Sequence, residues 1–363
     1  MQEQPIPEGL KISPFLVFFM IMSMQVGIGV LGYQRLIAED AGNDSWISVL
    51  IAGGSLHIII WIIYKICETV DGDLVTAHKY IAGNIVGKIL SSVFIPYYFV
   101  LSLTVLRSYL EVIQVWMFPT MSTFWFSLAY MLLCIYIVYG GFRTVVGIAF
   151  FGIVLPSYLF PIFGYSFQFA DFRHLLPIWN HTLKDILLGS YHMSLTFIGF
   201  ETVLFFYPFI KNPQKSKKWA HFAILATTII YTSIMIMTIS FFSDNQLAKS
   251  IWASLTIWKI VEMPFVERFE YIGIATWSLV ILPNICIAIW ISSRVLKRTF
   301  NLNQKKGVII IAIATLIIIN FINSREEVGL LNDITGKMGF IFSFVYIPLL
   351  LVMVLIVKKV KKR

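Results

Sequence analysis

Long runs of apolar residues recur along the whole chain, and they limit what it can fold into. A helix needs roughly 20 apolar residues to cross about 30 Å of hydrocarbon. Inside lipid the backbone must satisfy its own hydrogen bonds, so runs of this length predict membrane-spanning α-helices. The sequence predicts an all-α polytopic protein with about ten spans, at residues 12–38, 46–66, 89–115, 124–140, 145–167, 184–209, 220–242, 269–293, 307–322 and 338–357.

The composition agrees with this class and excludes others. Hydrophobic residues make up 58% of the 363, and charged residues only 13%. A soluble domain typically carries about 25% charged residues, so much of this surface must face the lipid bilayer. The net charge of +9 is spread over short loops and the C-terminal residues 358–363. That layout fits anionic lipid headgroups and argues against nucleic acid as a partner.

The distribution of basic residues predicts the orientation. If the N-terminus is cytoplasmic, 19 of the 28 Lys and Arg residues fall on the cytoplasmic side and eight on the other. This excess, with an even number of spans, places both termini in the cytoplasm. The first run is long and lacks a basic leader, so we expect it to remain in the mature chain. Segment 68–88 has mixed polarity and is predicted to lie at the membrane interface.

Two spans carry signs of interruption. The first contains three glycines within six residues, Gly27, Gly29 and Gly32, and each weakens a helix by roughly 1 kcal/mol relative to alanine. The sixth contains Gly199 followed by Glu201. Each break lies in the first span of a five-span half, and an odd number of spans makes the second half enter the membrane from the opposite side. We therefore predict one integral membrane domain with a 5+5 inverted repeat, at about 12–167 and 184–357, and a short basic tail at 358–363.

A broken helix has chemistry that an intact helix lacks. Its ends expose amide hydrogens that suit a carboxylate and carbonyls that suit an ammonium or a cation, and a free amino acid matches both. The alternatives are close helix packing through small residues, and for Glu201 a carboxylate that reaches the cytoplasmic vestibule. From the two breaks we predict a ligand site that includes Gly27, Ile28, Gly29, Leu31, Ile198, Gly199, Phe200 and Glu201.

Further polar and aromatic residues in spans three and eight complete the predicted site. Tyr97 and Leu101 are expected to line the cavity, although tyrosines also mark membrane interfaces. Pro283 is expected to bend or break span eight and to free backbone groups near Asn284, which we add to the site. Arg107 and Glu111 lie four residues apart on one helical face and are predicted to form a structural ion pair or a gate.

No pattern in the sequence favours catalysis or a metal. Cys67, Cys134 and Cys286 lie far apart, and none of them has metal-type spacing. We find no nucleophile–base set, paired acid motif or phosphate loop. We therefore expect no metal, no cofactor and no enzymatic activity.

The residues around the breaks resemble a known superfamily. Residues Phe197–Glu201, followed by Lys211–Pro213 and a basic loop, resemble span six of the amino acid–polyamine–organocation (APC) permeases. Residues Gly27–Leu31 resemble their unwound span one.

A closer similarity includes residues outside the breaks. These are Gln25 before the glycines, Asp44–Ser48 at the start of span two, and Pro264–Glu270 leading to Trp277. Together they are similar to the endospore germination permease family, the B subunits of spore germinant receptors, over essentially the whole chain.

The resemblance implies a sensor rather than a pump. Members of that family lie in the inner membrane of the dormant spore with an A subunit and a C-subunit lipoprotein. They recognise nutrients such as amino acids or sugars and help to trigger the release of small ions. Span five, residues 145–167, has neither the lysine that some proton-coupled APC relatives carry nor a carboxylate. The alternatives are an autonomous amino-acid transporter of the same fold and a conduit for water or ions.

Overall fold

The computed structural model describes residues 6–262 and 266–361. Pro264 and Phe265 of the germination-permease motif, and Lys362 and Arg363 of the basic tail, lie outside the described residues. The first nine α-helices are α1 Leu16–Gln25, α2 Tyr33–Ala41, α3 Ser45–Val70, α4 Leu74–Ser92, α5 Phe94–Trp116, α6 Thr123–Tyr139, α7 Phe142–Val154, α8 Leu159–Ile162 and α9 Leu183–His192. The others in the described part are α10 Ser194–Phe197, α11 Val203–Phe206, α12 Lys217–Phe241, α13 Asp244–Lys249, α14 Ala253–Lys259, α15 Phe269–Phe300, α16 Gln304–Ile319, α17 Arg325–Phe340 and α18 Ile347–Lys361.

These helices confirm the predicted all-α membrane fold. Spans two, four, seven, eight and nine are α3, α6, α12, α15 and α16, whereas each of the other spans is built from two or more helices. Six helical stretches of the described chain are long and apolar enough to cross a bilayer unbroken: Tyr33–Val70, Leu74–Trp116, Phe142–Phe169, Pro213–Phe241, Phe269–Phe300 and Arg325–Lys361. This number is below ten because spans one and six are interrupted, and because span four (α6) and span nine (α16) are too short.

Span ten begins earlier than the sequence predicts. Its helix starts at Arg325 rather than near 338, because the Ser324 hydroxyl and the Glu327 carboxylate cap its first turn. Hydropathy missed this polar first half. The helix then passes through a π-helical turn at Ile341–Tyr346 before it continues as α18.

The mixed-polarity segment 68–88 also divides differently from the prediction. Helix α3 ends at Val70, and Asp71 adopts a left-handed conformation. Asp73 then caps the start of α4, because its side chain accepts a hydrogen bond from the Thr76 amide at 3.0 Å. Gly83, with φ +75°, kinks α4, and the helix that leads into span three follows this kink. Span three therefore begins about five residues before the predicted 89.

Spans one and six are antiparallel neighbours that are joined at both ends. At one end, the Ile12 amide donates to Phe209 O at 2.8 Å and Ile12 O accepts from the Lys211 amide at 2.9 Å. At the other end, the buried Asp44 carboxylate accepts from the amides of Trp179, Asn180 and His181 at 2.7, 2.6 and 2.9 Å. This arrangement is the one that an inverted repeat requires of its two first spans.

The outside of the helix bundle is apolar. Ile85, Trp125 and Tyr136 are 76%, 68% and 78% exposed, and many other large hydrophobic side chains share this surface. Within the bundle, Trp258 and Trp277 are almost fully buried, with ring centroids 5.5 Å apart. An apolar exterior around a packed interior is the surface of a protein that is solvated by lipid.

Asp44 provides a test of the connection between the two repeats. We expect Asp44→Ala to lower the unfolding temperature of the detergent-purified chain by several degrees, because it leaves three amides without their acceptor, at a cost of about 2–4 kcal/mol. Asp171→Ala is the matched control, since that partly exposed carboxylate pairs with Arg173, two residues away. Equal unfolding temperatures for the two variants would show that the Asp44 contacts do not stabilise the fold.

Candidate functional site

The backbone of span one is unwound between α1 and α2. Gly27 is extended (φ −141°, ψ −148°), and a 3₁₀ turn at Ile28–Leu31 leads to Gly32 before the helix resumes at Tyr33. A break inside an apolar bundle leaves carbonyl groups without helical partners, and an unpaired buried carbonyl is costly. Side chains from other spans must therefore supply donors.

Donors reach the span-one break from spans seven and eight and from α14. Asn284 Nδ2 donates to Met24 O at 3.0 Å. Trp277 Nε1 donates to Gly27 O at 3.3 Å, and the Tyr231 hydroxyl donates to Gln25 O at 2.8 Å. Beyond the break, the Ser254 hydroxyl donates to Val30 O at 2.8 Å. These contacts fix the unwound segment at the centre of the bundle.

The break in span six is shorter and depends on one glycine. Helix α10 ends at Phe197, and Gly199 adopts φ +122° before a 3₁₀ turn at Phe200–Thr202. A Cβ at Gly199 would lie 2.3 Å from Met24 Cβ in span one. Both the positive φ and this close approach exclude any other residue. Gln25 Nε2 donates to Phe197 O at 3.2 Å and so links the two breaks directly.

Glu201 occupies the start of the second half of span six. Its Oε2 accepts from the Gly199 amide at 2.6 Å, its Oε1 accepts from the Tyr97 hydroxyl at 3.2 Å, and the residue is fully buried. The carboxylate therefore caps its own broken helix. The broken helix predicts that such an amide binds the carboxylate of a ligand, but here the Gly199 amide already donates to the carboxylate of Glu201.

A small cavity lies where spans one, three, six and eight meet. Its volume is about 30 Å³, enough for water but not for a nutrient. Six of the eleven residues predicted to bind ligand line it: Gly27, Ile28, Gly29, Leu101, Ile198 and Asn284. The other five do not line the cavity. Gly199, Phe200 and Glu201 lie at the break in span six, and Tyr97 donates to the Glu201 carboxylate. Leu31 is buried further along span one.

Two amide side chains give this cavity its polarity. Gln25 Oε1 and Asn284 Oδ1 are buried and have no hydrogen-bond partner within residues 6–262 and 266–361, and both residues line the cavity. The orientation of each amide group is fixed, because its nitrogen donates to a backbone carbonyl, Phe197 O and Met24 O respectively. The two oxygens are therefore acceptors that await a donor.

Span eight is helical through Pro283, so the predicted break is wrong, whereas the predicted bend stays a prediction. Helix α15 runs from Phe269 to Phe300 with Pro283 inside it. Gly152 in span five makes room at this point: a Cβ there would lie 2.6 Å from Leu279 O and 3.0 Å from Pro283 Cγ. Asn284 therefore reaches the site from an intact helix, as a side chain.

Arg107 and Glu111 do not pair with each other but form hydrogen bonds with other residues. Arg107 Nε donates to Ile322 O at 2.6 Å, whereas Glu111 accepts from Arg325 Nη1 at 2.9 Å through both oxygens. The predicted direct pair is wrong, since both side chains instead join span three to the residues at the start of span ten. A role in gating stays a prediction.

The site also includes residues that the sequence analysis did not select. Gln25 was noted only as a neighbour of the glycines, and Thr104 and Thr196 were not noted, although all three line the cavity. A Cβ at Gly29 would lie 2.9 Å from Thr196 Oγ1, so these segments of spans one and six are in direct contact. These residues are polar and lie inside apolar runs, which could have marked them as candidates. Many other residues of the chain share this feature, so it does not single them out.

Glu201 provides a test of how the span-six break is stabilised. We expect Glu201→Ala to lower the unfolding temperature clearly, because the Gly199 amide and the Tyr97 hydroxyl lose their acceptor. A hydrogen bond to a charged acceptor stabilises the folded state by about 1.5–3 kcal/mol. Glu201→Gln keeps one carbonyl oxygen for the Gly199 amide and should lower it less. Unfolding temperatures for both variants equal to wild type would refute this account of the capped break.

Comparison with known proteins agrees with this geometry. A family model described as "Spore germination protein" matches residues 11–328. The chain is 45% identical over 345 residues to spore germination protein GerQB of Bacillus cereus, covering 95% of this chain and 96% of that protein. It is 22% identical to spore germination protein A2 of Bacillus subtilis, covering 96% and 97% of the two chains.

Solved structures show the same fold at low sequence identity. The structure of MhsT in complex with L-phenylalanine superposes with a TM-score of 0.66 at 14% identity, covering 94% of this chain and 87% of that one. The nucleobase-cation-symport transporter Mhp1 superposes with a TM-score of 0.60 at 13% identity, covering 96% and 79%. With a family model that matches most of its length and a relative that aligns from end to end, this chain belongs to the spore germination protein family of permeases.

Proposed function

We propose that this chain is the membrane (B) subunit of a spore germinant receptor and that it binds a small nutrient where the two broken spans meet. The observation that carries the proposal is that Gln25 and Asn284, which both line the cavity between these breaks, each have a buried side-chain oxygen with no hydrogen-bond partner among the described residues. Buried polar atoms are nearly always paired in proteins, so two such acceptors on residues that line one cavity mark a place for a donor-bearing ligand.

The chemistry of the cavity selects the ligand class in outline. Two amide oxygens accept from an ammonium, a hydroxyl or an N–H group, and the rest of the lining is largely apolar. An amino acid supplies an ammonium and a sugar supplies hydroxyls, so both nutrient classes fit this requirement. At about 30 Å³ the cavity is too small for either, and the structure therefore corresponds to a closed form.

Binding then requires the two broken spans to separate. The Gln25–Phe197 hydrogen bond and the Gly199–Met24 contact join them in the closed form. A nutrient that binds only the opened form shifts the population toward it by its differential affinity. A- and C-type partner subunits would respond to that change in conformation. The chain would lie in the spore inner membrane, with both termini on the core side.

Autonomous amino-acid transport is the second candidate function. The transporter fold of MhsT and Mhp1 favours it. Uptake of a labelled nutrient by the chain alone in liposomes would support a transporter. Nutrient-triggered germination that requires the A- and C-type subunits, without uptake by the chain alone, would support the receptor.

A substitution that fills the cavity tests the ligand site. Leu101 is 5% exposed and lines the cavity. We expect Leu101→Trp to abolish the thermal stabilisation that a nutrient gives the wild-type chain, because the indole occupies the ligand's place, with overpacking costing about 1–3 kcal/mol. The measurement is the unfolding temperature across a panel of amino acids, sugars and nucleobases, with the A- and C-type subunits co-expressed.

The matched control is Leu132→Trp, since Leu132 lies on the outer surface of α6 and is 58% exposed. This variant should respond to the nutrient as the wild type does. Spores that carry Leu101→Trp should fail to germinate on the same nutrient, whereas Leu132→Trp spores should germinate. An unchanged nutrient response in Leu101→Trp would place the ligand elsewhere.

A further inference from the structure

A second and much larger cavity lies outside the central site. Its volume is about 320 Å³, and it opens between α2, the residues at the end of span seven, and α13. Ile239, Phe242 and Leu247 form an apolar wall. Pockets of roughly 300 Å³ and above accommodate small molecules, so this cavity is large enough for a ligand in the conformation described.

Three charged side chains line this outer cavity. Arg35 and Glu39 lie one helical turn apart on α2, and Asp244 faces them from α13. Within the described parts of the chain, none of these three side chains forms a hydrogen bond or an ion pair. One guanidinium and two carboxylates therefore remain available beside an apolar wall.

We propose that this outer cavity is a second binding site, for a small zwitterion with an apolar side chain such as a free apolar amino acid. Arg35 binds the carboxylate, since a guanidinium offers a planar pair of donors to it. Glu39 and Asp244 receive the ammonium, and Ile239, Phe242 and Leu247 contact the side chain. The site is separate from the central cavity and does not depend on the function proposed for it.

The position of this site predicts an effect on the central one. Helix α2 is the second half of broken span one, and α13 begins the connection that continues into α14. Ser254 of α14 donates to Val30 O at 2.8 Å and accepts from Gln34 Nε2 at 2.7 Å. A ligand bound to both α2 and α13 therefore holds the second half of span one against this connection. Coupling of this kind is reciprocal: each ligand changes the other's affinity by the same factor.

Cysteine labelling tests the outer site in the full-length chain. Ala248 lines the cavity, whereas its neighbour Lys249 is exposed and is not among the lining residues. The native Cys67, Cys134 and Cys286 are buried. We expect L-leucine to slow maleimide labelling of Ala248→Cys in a saturable way and to leave labelling of Lys249→Cys unchanged. The uncharged-carboxyl analogue L-leucinol should protect less.

Two further substitutions identify the source of the protection. Added to Ala248→Cys, Arg35→Gln or Glu39→Gln should raise the concentration for half-protection by about tenfold or more, the loss expected for a charge-assisted contact. Leu101→Trp, which fills the central cavity, should leave protection intact. A cooperative thermal unfolding transition in each variant verifies that it is folded.

Three results would overturn the outer site. The first is an absence of protection by L-leucine, L-phenylalanine and L-alanine alike. The second is protection that survives both Arg35→Gln and Glu39→Gln. The third is protection that disappears in Leu101→Trp, because the signal would then come from the central cavity. Failure of the central site alone would leave the labelling result at Ala248→Cys unchanged.

Discussion

The structure depends on how two interrupted helices satisfy their backbone hydrogen bonds inside an apolar bundle. Lipid offers no water to the carbonyl and amide groups that a break exposes. In span one the missing partners come from Asn284, Trp277 and Tyr231, and in span six from Gln25 and Glu201. The breaks persist because other spans pack donors and acceptors against them. Two of these side chains, Gln25 and Asn284, also line the central cavity and give it polar groups.

This constraint links local structure to conformational change. The two breaks are joined at the centre by the Gln25–Phe197 hydrogen bond and the Gly199–Met24 contact. The two spans are joined near Asp44 at one end and near Ile12 at the other end. A ligand that separates the centres must break some of these contacts, and the freed backbone groups must find new partners on the ligand. The free energy of binding such a ligand would therefore depend on the geometry of the two helix breaks.

The sequence predicted the helical class, the position of nearly every span and both breaks, because these follow from hydropathy and glycine placement over short stretches. It also selected six of the residues that line the central cavity. The prediction was wrong where the hydrogen-bond or ion-pair partner of a side chain lies far away in the sequence. Arg107 and Glu111 lie on one helical face as expected, yet each contacts residues more than 200 positions away. Spacing along one helix cannot show which of several polar groups will be nearest.

The sequence by itself determined that the chain crosses a membrane as interrupted helices in an inverted arrangement. Apolar length and backbone hydrogen bonding leave few alternatives in lipid. Only the tertiary structure decided that Glu201 caps its own helix, that Gln25 and Asn284 line one cavity, and that this cavity is too small for a nutrient. It also brought Arg35, Glu39 and Asp244 to one outer cavity. These features depend on contacts between spans, and hydropathy along the chain carries no information about which side chains face each other.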